Sequence, residues 1–242
     1  MLKKLEGLVG VVAGAGTGIG AAVARELGDA GMRLVLVGRG IEPLAERSAK
    51  SGVGEGDSVA ISAVASDNAA VDRAIGRALE RWGRLDVLVQ DADVGDFGPM
   101  VQTGPSLQPD AMETNLLGVI FAVRAALPHM KARGAGHIVI ISSESGRVKH
   151  RDEPAYAVSS HSIVSFADCL RTEVASEGIR VSLIEPGLVE TPLHVYPEAQ
   201  HPVAGVMPLD PDDIARAVKY VVEQPDNVNV FEMMLRPTGQ LL

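Results

Sequence analysis

Leu8-Val9-Gly10-Val11-Val12-Ala13, followed without a break by Gly14-Ala15-Gly16-Thr17-Gly18-Ile19-Gly20, is the stretch on which the fold turns. The first six residues carry no charge and read as a short strand buried on both faces. From Ile19 the pattern changes to a helical spacing that continues to Ala30, and Gly31 suits the helix end. Between strand and helix, the glycines permit a tight turn and a close backbone approach to a ligand. The N–H groups of a helix N-terminus carry partial positive charge, so this turn suits a pyrophosphate. No Lys-Ser or Lys-Thr pair follows the loop, which excludes the P-loop arrangement. A tight turn without ligand is the competing reading, and the position between an N-terminal strand and a helix favours a nucleotide site.

The same alternation continues outward to the end of the chain. Strands are predicted at Leu8–Ala13, Leu34–Val37, Val59–Val64, Val87–Ala92, Ile138–Ser142, Val181–Glu185 and Val228–Leu235. Helices are predicted at Ile19–Ala30, Glu42–Ser51, Ala69–Trp82, Met112–Arg133, Pro154–Glu177 and Pro211–Glu223. Pro43 and Pro211 fit first helical turns, Gly178 fits a helix end, and Asp210 can act as an N-cap. Near-continuous apolar strands interleaved with helices make one doubly wound parallel sheet covered on both faces. The expected architecture is therefore α/β, a single domain of about seven strands in the order 3-2-1-4-5-6-7. Residues 186–209, with Pro186, Pro192, Pro197, Pro202 and Pro208, are too long for a simple connector. Ligands sit beyond the carboxyl ends of parallel strands, so this segment is a candidate substrate lid.

Composition narrows the function. With 22 Lys and Arg against 31 Asp and Glu the chain carries a net charge of −9, which argues against a nucleic-acid partner. No run reaches the ~18 apolar residues of a membrane span. Charge and glycine interrupt the start of the chain, Met1 to Gly7, so no cleavable signal peptide is expected and the location is read as cytoplasmic. Cys169, the one cysteine, excludes an internal disulfide, and Phe166, Leu170 and Val174 suggest that it packs on an apolar helix face. The six histidines show no ligand spacing, so no metal site is indicated.

The glycines of Gly14-xxx-Gly18-x-Gly20 begin a series of matches that runs the length of the chain. It includes Trp82-Gly83-Arg84-Leu85-Asp86-Val87-Leu88-Val89, Asn115 in Thr114-Asn115-Leu116-Leu117-Gly118, Ile141-Ser142-Ser143, Tyr156, and Pro186-Gly187-Leu188-Val189-Glu190-Thr191. In this order they resemble the short-chain dehydrogenase/reductase family, with its Rossmann-type fold. The resemblance implies an oxidoreductase in which Ser143, Tyr156 and Asn115 are catalytic, Tyr156 exchanging the proton of a carbonyl or alcohol. It implies a cofactor held by Gly14, Gly16, Thr17, Gly18, Ile19, Gly20, Arg39, Ala92, Pro186, Gly187 and Thr191. Gly38 and Arg39 stand where an acidic residue would repel a 2′-phosphate, so NADP(H) is favoured over NAD(H). The ending Met234-Leu235-Arg236-Pro237-Thr238-Gly239-Gln240 is similar to NADP-dependent members that act on small polar alcohols and ketones. A homo-oligomer, tetramer or dimer, is also implied, with Met112–Arg133 and Pro154–Glu177 at its interface.

Three departures bear on that expectation. Ser143 precedes Tyr156 by 13 residues as the family requires, but Ser160 stands four residues after Tyr156, where the family has a lysine. That lysine lowers the tyrosine pKa and grips the nicotinamide ribose, and a tyrosine at its ordinary pKa near 10 is a poor base at pH 7. Asp93 occupies the family's glycine in Gln90-Asp91-Ala92-Asp93. A like charge ~4 Å from a phosphate costs about 4 kcal/mol at an effective dielectric of 20, unless it turns away or protonates. Val64 replaces an aspartate beside the adenine. Cofactor binding is therefore expected to be weak or absent. Lys149 or His150, in the charged loop before Tyr156, could turn inward as a substitute cation, against the plainer reading of a solvated loop. Three functions remain open: a reductase with a weakened apparatus, a non-redox enzyme such as a dehydratase, isomerase or cyclase, and a silent subunit.

Overall fold

A computed structural model describes residues 2–39, 58–63, 67–91, 93–95, 101, 109, 111–150, 153–192 and 205–240. Strands β1 Val9–Ala13, β2 Arg33–Gly38, β3 Ser58–Ser62, β4 Val87–Gln90, β5 Gly136–Ile141, β6 Ile179–Pro186 and β7 Glu232–Leu235 form one sheet. The order is β3-β2-β1-β4-β5-β6-β7 and every pairing is parallel. The register sets Val11 between Val35 of β2 and Leu88 of β4. Single-domain α/β organisation with this strand order agrees with the sequence reading.

Five described helices cover the sheet: α1 Gly18–Asp29, α2 Asn68–Trp82, α3 Gly118–Arg133, α4 Pro154–Val174 and α5 Pro211–Val222. The helix expected at Glu42–Ser51 lies outside the described residues, as do Val64 and Ala92. Alternation along each strand divides the core. Val9, Val11, Val35 and Val37 pack with Ile75, Val123 and Leu170 on the α2, α3 and α4 side. Val12, Leu34, Leu36 and Val89 pack with Leu27, Ile214 and Val218 on the α1 and α5 side. None of the described helices is long and apolar enough to cross a membrane.

Two expected elements differ in detail. The helix predicted from Met112 opens with a π-helical turn, Met112–Leu117, before α3 begins. This turn carries Asn115, whose amide donates to the Val94 carbonyl and accepts from the Val94 N–H. The last strand is shorter than Val228–Leu235 because a side chain takes over its first pairing. The Asn229 amide accepts from the Val181 N–H and donates to the Val181 carbonyl, in place of a backbone ladder.

Asp86 joins the sheet to its flanks. It is 8% exposed and accepts from the Val9 N–H at 2.9 Å, Arg84 at 2.7 Å and Arg133 at 2.8 Å. Burial pushes its pKa up, but the Arg84 hydrogen bond, the Val9 N–H and Arg133 together hold it below the usual carboxylate range. Asp86→Ala should cost about 2 kcal/mol in denaturant unfolding at pH 7, chiefly from the orphaned Val9 N–H, since both arginines retain water. Because the folded pKa is depressed, the loss should shrink as pH falls below about 4.

Candidate active site

The carboxyl ends of β1, β4, β5 and β6 open into one cleft of about 310 Å³. Its floor is the glycine loop. Gly14 and Gly18 have φ of +87° and +54°, a conformation that L side chains resist. At Gly20 a Cβ would stand 2.5 Å from the Gly14 carbonyl oxygen and 2.8 Å from Asp91 Oδ2, so the loop closes only without one. Thr17 is the N-cap of α1 but makes no side-chain cap, and the first turn holds no acidic residue. The N–H groups of Gly18 and Ile19 thus line the cleft without a capping side chain, as a phosphate cradle needs. Arg39 is exposed on the same cleft at the end of β2.

Asp91 fills a role that sequence reasoning missed. Its carboxylate accepts from the Gly20 N–H and so takes the third donor of the helix terminus from any phosphate. Burial, reinforced by the charge of Asp93, pushes the Asp91 pKa well above the carboxylate range against that hydrogen bond. An acid directly after a buried strand that faces a glycine loop is the sequence signal that could have found it.

At the other end of the cleft, β5 and α4 bring Ser143 and Tyr156 together. Ser143 starts a 3₁₀ turn, and its hydroxyl accepts from the Ser145 N–H at 3.1 Å and also hydrogen-bonds the phenol. The Tyr156 hydroxyl donates to Asp93 Oδ2 at 2.8 Å. Burial pushes the tyrosine pKa well above 10, and the Asp93 charge and hydrogen bond push it further. Burial likewise raises Asp93 to about 7, although Tyr156, the Val94 N–H and Asn115 favour its charged form. Asp93 thus turns its carboxyl to Tyr156, and burial favours its protonated form. Asn115 is buried beside this pair, with its amide 3.3 Å from the Ser159 hydroxyl. Ser160 lies one helical turn beyond Tyr156, buried, with its carbonyl backing Gly146. Pro186, Gly187 and Thr191 line the cleft from the β6 side.

None of the described charged residues of the loop before Tyr156 lines the cleft; Arg147 and Lys149 are exposed, and the acids are tied to the fold. Glu144 is buried and takes hydrogen bonds from Arg236 and Gln240, with His150 3.5 Å away. Arg147 bridges Glu185, at 2.7 Å, and Glu232. Lys149 is exposed, and neither it nor His150 lines the cleft, so neither replaces a cation at Tyr156. Gln240 also accepts from the Leu188 N–H, which clamps the C-terminal turn across Gly187. Of the candidate lid, residues 193–204 lie outside the described part. Its ends are joined by the Val189–Leu209 bridge and by the Leu209 N–H bonding to Leu188. Cys169 is exposed rather than packed: the buried stripe of α4 runs through Ile163, Ala167, Leu170 and Val174, and Cys169 falls about 100° off it. Among the described residues no group of three His, Cys, Asp or Glu could hold a metal ion.

Residues 9–201 match the short chain dehydrogenase family. The chain belongs to that family. An uncharacterized oxidoreductase of Staphylococcus saprophyticus is 32% identical over 98% of this chain and all of its own length. Among solved structures, a metagenomic short-chain oxidoreductase in complex with NADP is 32% identical, with a TM-score of 0.83 over 98% of this chain and 99% of the other. An alcohol dehydrogenase from the archaeon Thermococcus sibiricus complexed with 5-hydroxy-NADP is 27% identical, with a TM-score of 0.87 over 98% and 99%. This short-chain dehydrogenase is thus an oxidoreductase with the family's seven-stranded parallel sheet.

The raised acid in the cleft of this short-chain dehydrogenase leaves a mark on stability. Asp93 has a folded pKa of about 7 against the ordinary value of 3.8, so between those pH values the folded state holds a proton that the unfolded state has released. Stability should fall as pH rises from about 4 to about 7, by up to about 1.4 kcal/mol per pH unit, and level off above. Denaturant unfolding of Asp93→Asn should show a flatter slope in that window. An unchanged slope would place the titrating group elsewhere.

Proposed function

We propose that this chain is an NADP(H)-dependent reductase of small polar ketones or aldehydes, with Tyr156 as the acid and Ser143 holding the carbonyl oxygen. The observation that carries the reading is the placement of Tyr156, whose phenol faces the cleft of the glycine loop, hydrogen-bonds Ser143 and is kept protonated by burial. A group held as a donor suits carbonyl reduction and is poorly placed to deprotonate an alcohol. Gly14, Gly16, Thr17, Gly18, Ile19 and Gly20 fit a pyrophosphate, since Gly18 and Ile19 leave their N–H groups uncapped. Exposed Arg39 fits a 2′-phosphate, and the NADP-bound solved relatives agree with that choice. Ala92, Pro186, Gly187 and Thr191 would border the rest of the cofactor.

When bound, the reduced nicotinamide supplies the hydride. The protein does the remainder: the Ser143 hydroxyl donates to the carbonyl oxygen, Tyr156 protonates that oxygen, and Asn115 fixes the segment bearing Asp93 through Val94. Ser160 brings no cation beside Tyr156, so the apparatus is incomplete by the family's pattern and turnover is slow. Asp93, when ionised, opposes an anionic cofactor, so affinity is low at high pH. Residues 186–209, of which 193–204 lie outside the described residues, form the candidate substrate lid, its ends joined by the Val189–Leu209 bridge. The exposed apolar groove between α3 and α4, with Ile120, Leu127, Phe166 and Leu170, joins copies of the chain into a homo-oligomer.

The direct test is NADPH oxidation against a panel of small polar carbonyls at pH 6. Tyr156→Phe should lower kcat about 10²–10⁴-fold with little change in NADPH affinity. Arg39→Asp should reverse the preference between NADPH and NADH, and equal affinity for both in the parent would refute the 2′-phosphate role. Sedimentation at micromolar concentration should show a dimer or tetramer, and Leu127→Asp should yield monomer.

A further inference from the structure

The Tyr156 hydrogen bond to Asp93 is an unusual arrangement for a proton donor. Every proton that Tyr156 gives to a substrate must be replaced, and, besides the Ser143 hydroxyl, a carboxyl oxygen contacts its hydroxyl oxygen at 2.8 Å. We propose that Asp93 supplies Tyr156: in its acid form it passes a proton to the phenolic oxygen as that oxygen gives its own to the substrate carbonyl. This rests on the reductase reading of the same site. In balance, the ketone gains a hydride and a proton to become the alcohol. Tyr156 loses one proton and regains one, and Asp93 is left as a carboxylate that recovers its proton from water.

The surroundings support a carboxyl that changes charge near neutrality. From its own strand end Asp93 faces Asp91, whose ionisation the Asp93 charge disfavours. From α4 it faces Tyr156, on which Glu153 at the start of that helix also acts. From the π-helical turn it faces the neutral Asn115 amide, and its neighbour Val94 offers an N–H. Among the described residues no lysine, arginine or histidine shifts Asp93, and burial raises it to about 7. The two charge states have opposite effects on Tyr156. As a carboxylate, Asp93 holds the phenolic proton and raises the cost of giving it up. As an acid, it donates to the phenolic oxygen, leaves the phenolic proton for the substrate, and stabilises the developing phenolate. Reduction should therefore be active below pH 7 and fade above it.

The test pairs kinetics with a titration that needs no turnover. In wild type, kcat for carbonyl reduction with NADPH should fall about tenfold per pH unit above pH 7. Asp93→Asn keeps the shape but has no proton to give. Its kcat should be about 100-fold lower at pH 6 and independent of pH from 6 to 8.5. If Asp93→Asn equals or exceeds wild type at pH 6, the carboxyl is an obstacle rather than a donor, and the inference fails while the reductase reading stands. If wild type neither binds NADPH or NADH nor reduces any carbonyl at pH 6, the reductase reading fails and takes the donor role with it. Independently of activity, ¹³C NMR of ligand-free wild type should show the Asp93 carboxyl titrating near pH 7 and the Tyr156 ring carbon shifting at the same pH. A carboxyl already ionised at pH 5, or a tyrosine signal that ignores it, overturns the proposal even in an active enzyme.

Discussion

The approach of Gly20 to Gly14 is the constraint on which the site depends. With a Cβ at Gly20 only 2.5 Å from the Gly14 carbonyl, the turn after β1 can be this tight only with glycine at both ends. Its tightness sets the N-terminus of α1 directly over the sheet edge. It also brings the Gly20 N–H within reach of Asp91 at the end of β4, so β1, α1 and β4 meet at one hydrogen bond. Sheet register then does the rest. Because β4 and β5 flank one another in parallel, the residues just past their carboxyl ends, Asp93 and Ser143, emerge side by side. The helix entered at Pro154 delivers Tyr156 to both.

The far wall is held by a second device, a buried carboxylate. Glu144 follows Ser143 directly and is gripped by Arg236 and Gln240 from the chain's last described turn, while Gln240 also holds the Leu188 N–H. The serine turn, the start of the candidate lid and the C-terminal turn are therefore tied together. Arg147 repeats the pattern a turn later by tying Glu185 to Glu232 across β6 and β7. Such charge-assisted bonds fix orientation better than they add stability, since each ion gives up hydration to enter. The gain is a serine and a tyrosine already in contact before any ligand arrives.

The fold was legible in the sequence because hydrophobic periodicity and glycine punctuation report backbone conformation directly. Leu34–Val37 or Val181–Glu185 can hardly be other than buried strands between helices. The site was legible only as far as local order reaches. Gly18 was read from the strand-to-helix glycine turn, and Ser143, Tyr156 and Asn115 were named from the family resemblance. Three features depend on side chains far apart in sequence: the Gly20–Asp91 cap, the Glu144 clamp by Arg236 and Gln240, and the Tyr156–Asp93 bond. Asp93 was singled out as a departure from the family pattern, but its partner could not be read from 63 residues away. Cys169 shows the complementary failure, in which apolar neighbours on a helix were mistaken for its own facing. The Asn229 substitution for a ladder pairing is of the same kind, a side chain doing a backbone's work.

In the proposed mechanism the pair Tyr156–Asp93 titrates as a unit, and coupling between two ionisable groups is reciprocal. Whatever the Asp93 charge adds to the cost of ionising Tyr156, a forming phenolate adds to the cost of ionising Asp93. Within the step the acid loses its proton to the tyrosine as the tyrosine spends its own. Below pH 7 the resting pair holds two protons, and after one donation it holds one. That proton belongs on the weaker acid. Burial and the Asp93 charge raise Tyr156 well above its ordinary range while Asp93 lies near 7, so the remaining proton stays on the phenol beside a carboxylate. The 2.8 Å contact between the two oxygens lets the proton sit on either side, so the pair can pass it without rearranging. A cation beside the tyrosine would invert this order, stabilising phenolate and favouring alcohol oxidation. With Ser160 neutral and Asp93 acidic, both changes push in one direction, toward a site that gives protons and does not take them.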